Sequence, residues 1–407
     1  MATKATRDYG LIAAAERAGL DKAKTESITW WLKEQFIAHQ YAKLSQGGHI
    51  EHQVPLRQVF IDLPIADTLS IAAERQPRSC FLEQVLASSP LSLKRAWVSA
   101  SDATTLKAQI QDASTAPETA NPRRRRRDPE FGATLLVGGP GQGKSTLGQL
   151  ACQLHRVGLL LPLKDALSST DAELICQFET APPTTTSGTA LEVPKSPSLP
   201  LQVVLPDFAE WLANAEGNSK NIIPDLLLFL ADQPSAKASN VEASTLFALA
   251  CHMPCFLFLD GFDEVGATQD RNNIVAAASA FFEALSQRNA LVQVVATTRP
   301  QGYAGELAQM GVRLKQRYLT PLVMPEALEY AKKLVGAKIS GVDERKKTLN
   351  RLMEAAKEPA TQRLLTTPLQ VTSSYRSHAK APSLRSERIA SAAVMTRCKP
   401  SQIVFAP

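Results

Sequence analysis

The stretch Leu135-Leu136-Val137-Gly138-Gly139-Pro140-Gly141-Gln142-Gly143-Lys144-Ser145-Thr146 decides the fold. Its apolar start predicts a short strand, its glycines a tight turn, and Lys144 onward a helix. Gly138, Gly143, Lys144 and Ser145 fit G-x-x-x-x-G-K-[ST], the phosphate-binding P-loop. Glycine lets the backbone curl so that N–H groups converge on phosphate oxygens, and the helix start adds the positive end of its dipole. Lys144 is expected to reach the β- and γ-phosphates and the Ser145 hydroxyl to ligate Mg²⁺. Gly139, Pro140, Gly141, Gln142 and Thr146 complete the loop. The expected ligands are ATP or ADP with Mg²⁺.

A second stretch lies about 115 residues further on. Pro254-Cys255-Phe256-Leu257-Phe258-Leu259 runs into Asp260-Gly261-Phe262-Asp263-Glu264. A continuous apolar run of this length fits a strand buried on both faces of a parallel sheet. Carboxylates at its C-terminal end stand where open α/β sheets bind ligands. This is the logic of a Walker B motif: one carboxylate orients the Mg²⁺ shell, and a neighbour can position the attacking water. A third strand, Leu291 to Ala296, ends in Thr297-Thr298-Arg299-Pro300. Arg299 or a threonine at that tip can sense the γ-phosphate, and Pro300 stops the strand.

The remaining pattern is consistent with an α/β P-loop NTPase whose mainly parallel sheet is flanked by helices. Helices are predicted at Leu147–Val157, Pro206–Ala215, Ile223–Ala231 and Arg271–Gln287, with a strand at Leu201–Leu205. The stretch Thr180 to Pro200, rich in Pro, Thr and Ser, reads as a disordered insertion. Helices at Pro325–Val335, Asp343–Lys357 and from Ala360 predict a small helical lid. Residues 1–100 read as a mainly helical N-terminal region with an apolar set at Trp30, Trp31, Phe36, Ile37 and Tyr41, and with residues 53–65 extended. Residues 101–130 form a linker ending in Arg123–Arg127. The NTPase core spans 131–320 and a helical subdomain 321–371. The segment 372–407 shows no period and reads as a natural disordered tail or as aberrant sequence.

The net charge of +6 comes from two places. Arg123–Arg127 supply +5 and the segment from Thr372 another +5, which leaves about −4 for the rest. A general nucleic-acid surface is therefore not expected, although the arginine run keeps nucleic acid in view as a partner. Six scattered cysteines fit reduced thiols. No apolar run is long enough to span a bilayer and Met1–Leu20 lacks a secretory pattern, so a cytoplasmic protein with no membrane partner is expected. Cys251 and Cys255 with His252 have no second ligand pair and do not predict a metal site.

The loop, the Asp260-Gly261-Phe262-Asp263-Glu264 stretch and Thr297-Thr298-Arg299-Pro300 together resemble a NACHT-type NTPase of the STAND class. Thr367-Pro368-Leu369 resembles that family's proline motif, in which Pro368 would lie near the adenine. The resemblance covers roughly residues 131–371. It implies a nucleotide-gated signalling switch that is closed with ADP, homo-oligomeric with ATP and set off by an unidentified trigger, often in defence. It also implies Lys144 and Ser145 on phosphate and Mg²⁺, Asp260 on Mg²⁺, Asp263 or Glu264 on water, and Arg299 as sensor. Two rival expectations are a nucleotide-binding scaffold without turnover and a P-loop ATPase stimulated by nucleic acid.

Overall fold

The computed structural model describes residues 10–42, 54–68, 79–87, 133–185, 188–214, 223–310, 312 and 314–379. The linker 101–130 with Arg123–Arg127, and the segment beyond Ala379, lie outside the described residues.

In chain order the strands are β1 (Tyr41–Ala42), β2 (Val54–Pro55), β3 (Ile61–Asp62), β4 (Pro64–Ala66), β5 (Ser79–Cys80) and β6 (Ala133–Val137). They continue as β7 (Thr184–Thr185), β8 (Leu199–Val204), β9 (Cys255–Asp260), β10 (Val292–Thr298) and β11 (Lys315–Leu319). Seven of them form one sheet in the order β5-β4-β11-β6-β10-β9-β8. The five from β11 to β8 are mutually parallel, and β4 runs antiparallel to β11 and to β5. The apolar runs of β6, β9 and β10 are explained by this placement: helices cover both faces, so nearly every residue on them is buried.

The chain leaves β6 for the far edge at β8, returns through β9 and β10 to the flank of β6, and then crosses to β11. The carboxylate strand β9 is thus separated from the loop strand β6 by β10. Thr297 and Thr298, at the end of β10, stand between the phosphate loop and Asp260.

The P-loop helix, Lys144–Leu160, is buried on almost every side from Leu147 to Val157. One face lies on the sheet, where the backbone approaches β9 very closely. A Cβ built on Gly148 would fall 2.0 Å from the Phe258 ring. The other face lies under the N-terminal helix Lys22–Ala38. Here the P-loop helix is polar, and its side chains bond to backbone carbonyls of the N-terminal residues. Gln149 Nε2 donates to His39 O (2.7 Å) and Tyr41 O (3.0 Å), and Gln153 Nε2 donates to Phe36 O (2.8 Å).

The N-terminal residues are therefore built into the NTPase sheet through β4 and β5 and are not helical alone. The extended reading of residues 53–65 is found in pieces, interrupted by one helical turn at Leu56–Val59. Of the expected apolar set, Trp31 and Phe36 are buried, whereas Trp30 is 51% exposed. Trp30 lies on the outer face because helical spacing turns it away from Trp31, and Lys33 Nζ sits 3.3 Å over its ring.

The disordered insertion expected at Thr180–Pro200 is corrected. Its described residues fold back on themselves: Thr185 N–H donates to Thr189 O (2.8 Å) and Leu191 N–H to Pro183 O (2.8 Å). β7 pairs in parallel with β3. Proline and threonine here make tight turns whose amides are satisfied locally, and Thr185, Leu191 and Ser198 are buried.

The lid helices appear at Met324–Lys338, Val342–Ala355 and Pro359–Leu364, followed by a fourth at Pro368–Ala379. This last helix runs eight residues past Val371, where the sequence shows no period. Val371 and Tyr375, four residues apart, face the core. The serines and threonines between them are accommodated by back-bonding: Thr372 Oγ1 donates to Pro368 O (2.9 Å) and Ser373 Oγ to Leu369 O (3.0 Å).

Candidate functional site

A cavity of about 320 Å³ opens at the C-terminal tips of β6, β9 and β10. Its floor is the loop from Pro140 to Leu147 with Asp260, Asp263, Glu264, Thr297 and Arg299. One wall is the N-terminal segment Val59, Phe60, Ile61 and Leu63, and the other is Tyr330, Pro368, Leu369 and Thr372 of the lid. The three motifs read from the sequence therefore meet in one place.

Gly141 (φ +71°) and Gly143 (φ +86°) adopt left-handed backbone that disfavours a side chain. They also admit neighbours: a Cβ on Gly141 would lie 2.5 Å from Leu369 Cδ2, and one on Gly143 3.1 Å from Leu63 Cδ1 and 3.9 Å from Pro368 Cγ. Leu369 N–H donates to Gly141 O at 3.3 Å. The lid thus touches the loop itself.

Within the loop, Lys144 Nζ donates to Gly138 O (2.7 Å) and Gly139 O (3.2 Å). Gly139 N–H donates to Gln142 Oε1 at 2.5 Å, an oxygen of the kind that a phosphate would offer. The first amides of the Lys144–Leu160 helix have no intrahelical acceptor and point to the cavity end of the dipole. Burial lowers the Lys144 pKa most, while Asp263, Asp260 and Glu264 oppose that and Arg299 adds to it.

Asp260 is held by a two-bond relay. Gly261 N–H donates to Thr297 Oγ1 (2.8 Å), and the Thr297 hydroxyl in turn donates to Asp260 Oδ1 (2.6 Å). Asp260 also lines the cavity. With the exposed Ser145 hydroxyl it makes a hard-oxygen donor set suited to Mg²⁺, which keeps water and phosphate as its other ligands.

Arg299 binds both members of the acidic pair. Its Nε lies 2.8 Å from Asp263 Oδ2 and its Nη2 3.3 Å from Glu264 Oε1. The Asp263 side chain is 5% exposed and that of Glu264 57%, so the two carboxylates are not equivalent. Arg271 fixes the turns that carry them, with Nε donating to Val265 O (2.9 Å) and Nη1 to Gly302 O (3.2 Å) and Glu306 Oε1 (3.3 Å).

Several of these residues are absent from the sequence-based site. The bond from Thr297 to Asp260 depends on β10 lying beside β9, a pairing that no local pattern reveals. The wall Val59–Leu63 comes from a region with no motif. Leu369 sits next to Pro368, and that adjacency was the available signal. Cys255, considered beside Cys251 and His252, is buried in β9 with its thiol directed at Ala250 O (3.8 Å).

No family model matches the chain, and no curated protein matches it. Among solved structures, domain III of the Thermotoga maritima replication initiation protein DnaA aligns with 75% of this chain and 97% of its own length. The identity is 12% and the TM-score 0.28. The fold is therefore read from this chain's own strand order, loop and strand tips. They define an α/β domain of the P-loop NTPase fold. Among the described residues no helix is long and apolar enough to cross a membrane.

Proposed function

We propose that the chain binds ATP or ADP with Mg²⁺ in this cavity and acts as a NACHT-type nucleotide-gated switch. The observation that carries the proposal is the seating of Pro368 and Leu369, at the start of the last helix, directly on Gly141 and Gly143 of the phosphate loop. Any change at the phosphates then acts on the lid without an intermediary.

In this reading Lys144 exchanges its bonds to Gly138 O and Gly139 O for phosphate oxygens. Ser145 and Asp260 hold the cation, which neutralises phosphate charge. Asp263 or Glu264 orients water, and Arg299 leaves them to meet the γ-phosphate. While Arg299 holds both carboxylates neither is free to act as a base, which favours slow turnover and supports the scaffold reading as the alternative. Assembly into a homo-oligomer with ATP, an unidentified trigger and a role in defence follow from the NACHT resemblance alone.

The test is a titration of fluorescent ATP and ADP analogues with Mg²⁺ against wild type and Lys144→Ala. Saturable binding to the wild type, weakened at least tenfold in the variant, is expected. Equal affinities would remove the P-loop assignment.

A further inference from the structure

Lys333 lies on the lid helix Met324–Lys338, one turn beyond the cavity-lining Tyr330, and belongs to none of the nucleotide motifs. Its ammonium is more than half buried and donates to Phe60 O (2.7 Å), Thr184 Oγ1 (2.6 Å) and Thr184 O (3.5 Å). Its partners come from two segments that are 273 and 149 residues distant in sequence. All three acceptors are neutral oxygens, and the one carboxylate that acts on it, Glu329, opposes the effect of burial without bonding to it. Burial lowers its pKa, a cost that the hydrogen bonds must offset.

The place of these bonds gives them a consequence. Phe60 and Ile61 form the wall of the cavity opposite the lid. Ile61 is paired with Thr184 where β3 meets β7, so Lys333 caps the first rung of that ladder. Tyr330, on the cavity side of the same helix, bonds through its hydroxyl to Thr372 Oγ1 (3.1 Å) four residues past Pro368. One helix therefore grips the wall through Lys333 and the closing helix through Tyr330.

We propose that Lys333 is a positioning residue that latches the lid to the wall and so sets the residence time of a nucleotide in the cavity. The inference rests on the nucleotide-binding reading above. Lys333 touches no ligand; it acts by holding Phe60 and Ile61 against the lid. The cavity opens only when this three-segment joint parts, so its loss speeds both entry and release.

The experiment is stopped-flow association and dissociation of a fluorescent ATP analogue with Mg²⁺. It compares wild type, Lys333→Met, Lys333→Arg, Thr184→Val and the Lys333→Met/Thr184→Val pair. Removing a charge-assisted buried hydrogen bond predicts a dissociation rate for Lys333→Met raised on the order of tenfold to a hundredfold, with the association rate raised alongside it. Thr184→Val, a milder change, is expected to fall between wild type and Lys333→Met, and the pair to match Lys333→Met because both act on one joint. Lys333→Arg is expected to recover much of the residence time. A dissociation rate within twofold of wild type in Lys333→Met, or full additivity in the pair, would overturn the latch while leaving the nucleotide site standing. Absence of saturable binding in the wild type would overturn both.

Discussion

Gly148 offers the sharpest test of how the site is assembled. In an exposed helix, replacing glycine by alanine would stabilise by about 1 kcal/mol. Here the added methyl would meet the Phe258 ring at 2.0–2.3 Å, and that ring is fully buried in β9. Carbon atoms pack at roughly 3.5–4.0 Å, so the helix or the ring must move by about 1.5 Å. Overpacking of this kind costs typically about 1–3 kcal/mol, and a contact this short against a ring belongs at the upper end. After the propensity gain, Gly148→Ala is expected to lose about 2 kcal/mol. Urea unfolding of wild type, Gly148→Ala, Phe258→Leu and the pair measures it. The smaller side chain should make room, so the pair is expected to be more stable than the sum of the single losses by about 1 kcal/mol or more. Because Gly148 sets the gap between Lys144 and Asp260, the single variant should also bind Mg-nucleotide more weakly, and the pair should recover. A Gly148→Ala protein as stable as wild type, or a pair with purely additive losses, would refute the close approach of helix and strand.

Four further outcomes follow from the structure. Asp260→Asn is expected to weaken Mg²⁺-dependent nucleotide binding. Asp263→Asn with Glu264→Gln should instead slow single-turnover hydrolysis by about 10²–10⁴-fold, the usual loss for a proton-handling group, and leave binding largely intact; wild-type turnover in the double variant would remove both residues from the chemistry. Gly141→Ala places a side chain at φ +71° against Leu369, and is expected to release the fluorescent nucleotide faster; an unchanged release rate would show that the lid does not rest on the loop. Stability against pH offers a fourth check. Burial raises the Asp62 carboxyl to about 7, against bonds from the Leu82 and Glu83 amides that lower it. Burial likewise pushes His155 down to about 3, with Arg156 adding to the effect. Between pH 6.5 and 4 the folded chain keeps a proton on Asp62 that the unfolded chain has lost, so this group destabilises as pH rises. In the same window the unfolded chain protonates His155 and the folded chain does not, so this group destabilises as pH falls. Each is worth up to about 4 kcal/mol and the two nearly cancel. Urea midpoints for the wild type should thus vary little from these groups, whereas Asp62→Asn should make the acid side fall steeply. A variant that keeps the wild-type profile would refute the opposed pair.

What the sequence made legible was local and periodic. The loop, the apolar strands β6, β9 and β10 and the carboxylates at the end of β9 each announce themselves within a dozen residues. The lid helices were legible for the same reason. The contribution of β4 and β5 was hidden because strands of two or three residues carry no measurable period. The ordering of Thr180–Pro200 was hidden because composition describes a segment's solvation and not the ladder that β3 offers it. The extension of the final helix past Val371 was hidden because Tyr375 follows it across a run of a threonine and two serines. Arg299 was legible as a residue at a strand tip, but its grip on both Asp263 and Glu264 depends on the turn after β10 folding back toward β9.

The closure of the loop by Pro368 and Leu369 also fixes an order of events during synthesis. The phosphate loop ends at Thr146, more than two hundred residues before the helix that rests on it. At about 5–20 residues per second, a ribosome takes roughly ten to forty-five seconds to cover that distance. For that interval the loop sequence exists without its cover, with strands β9 and β10 arriving one after the other and the cover arriving last. A nucleotide captured early would be present as the remaining strands assemble around it, and one excluded until the end would have to enter through the finished lid.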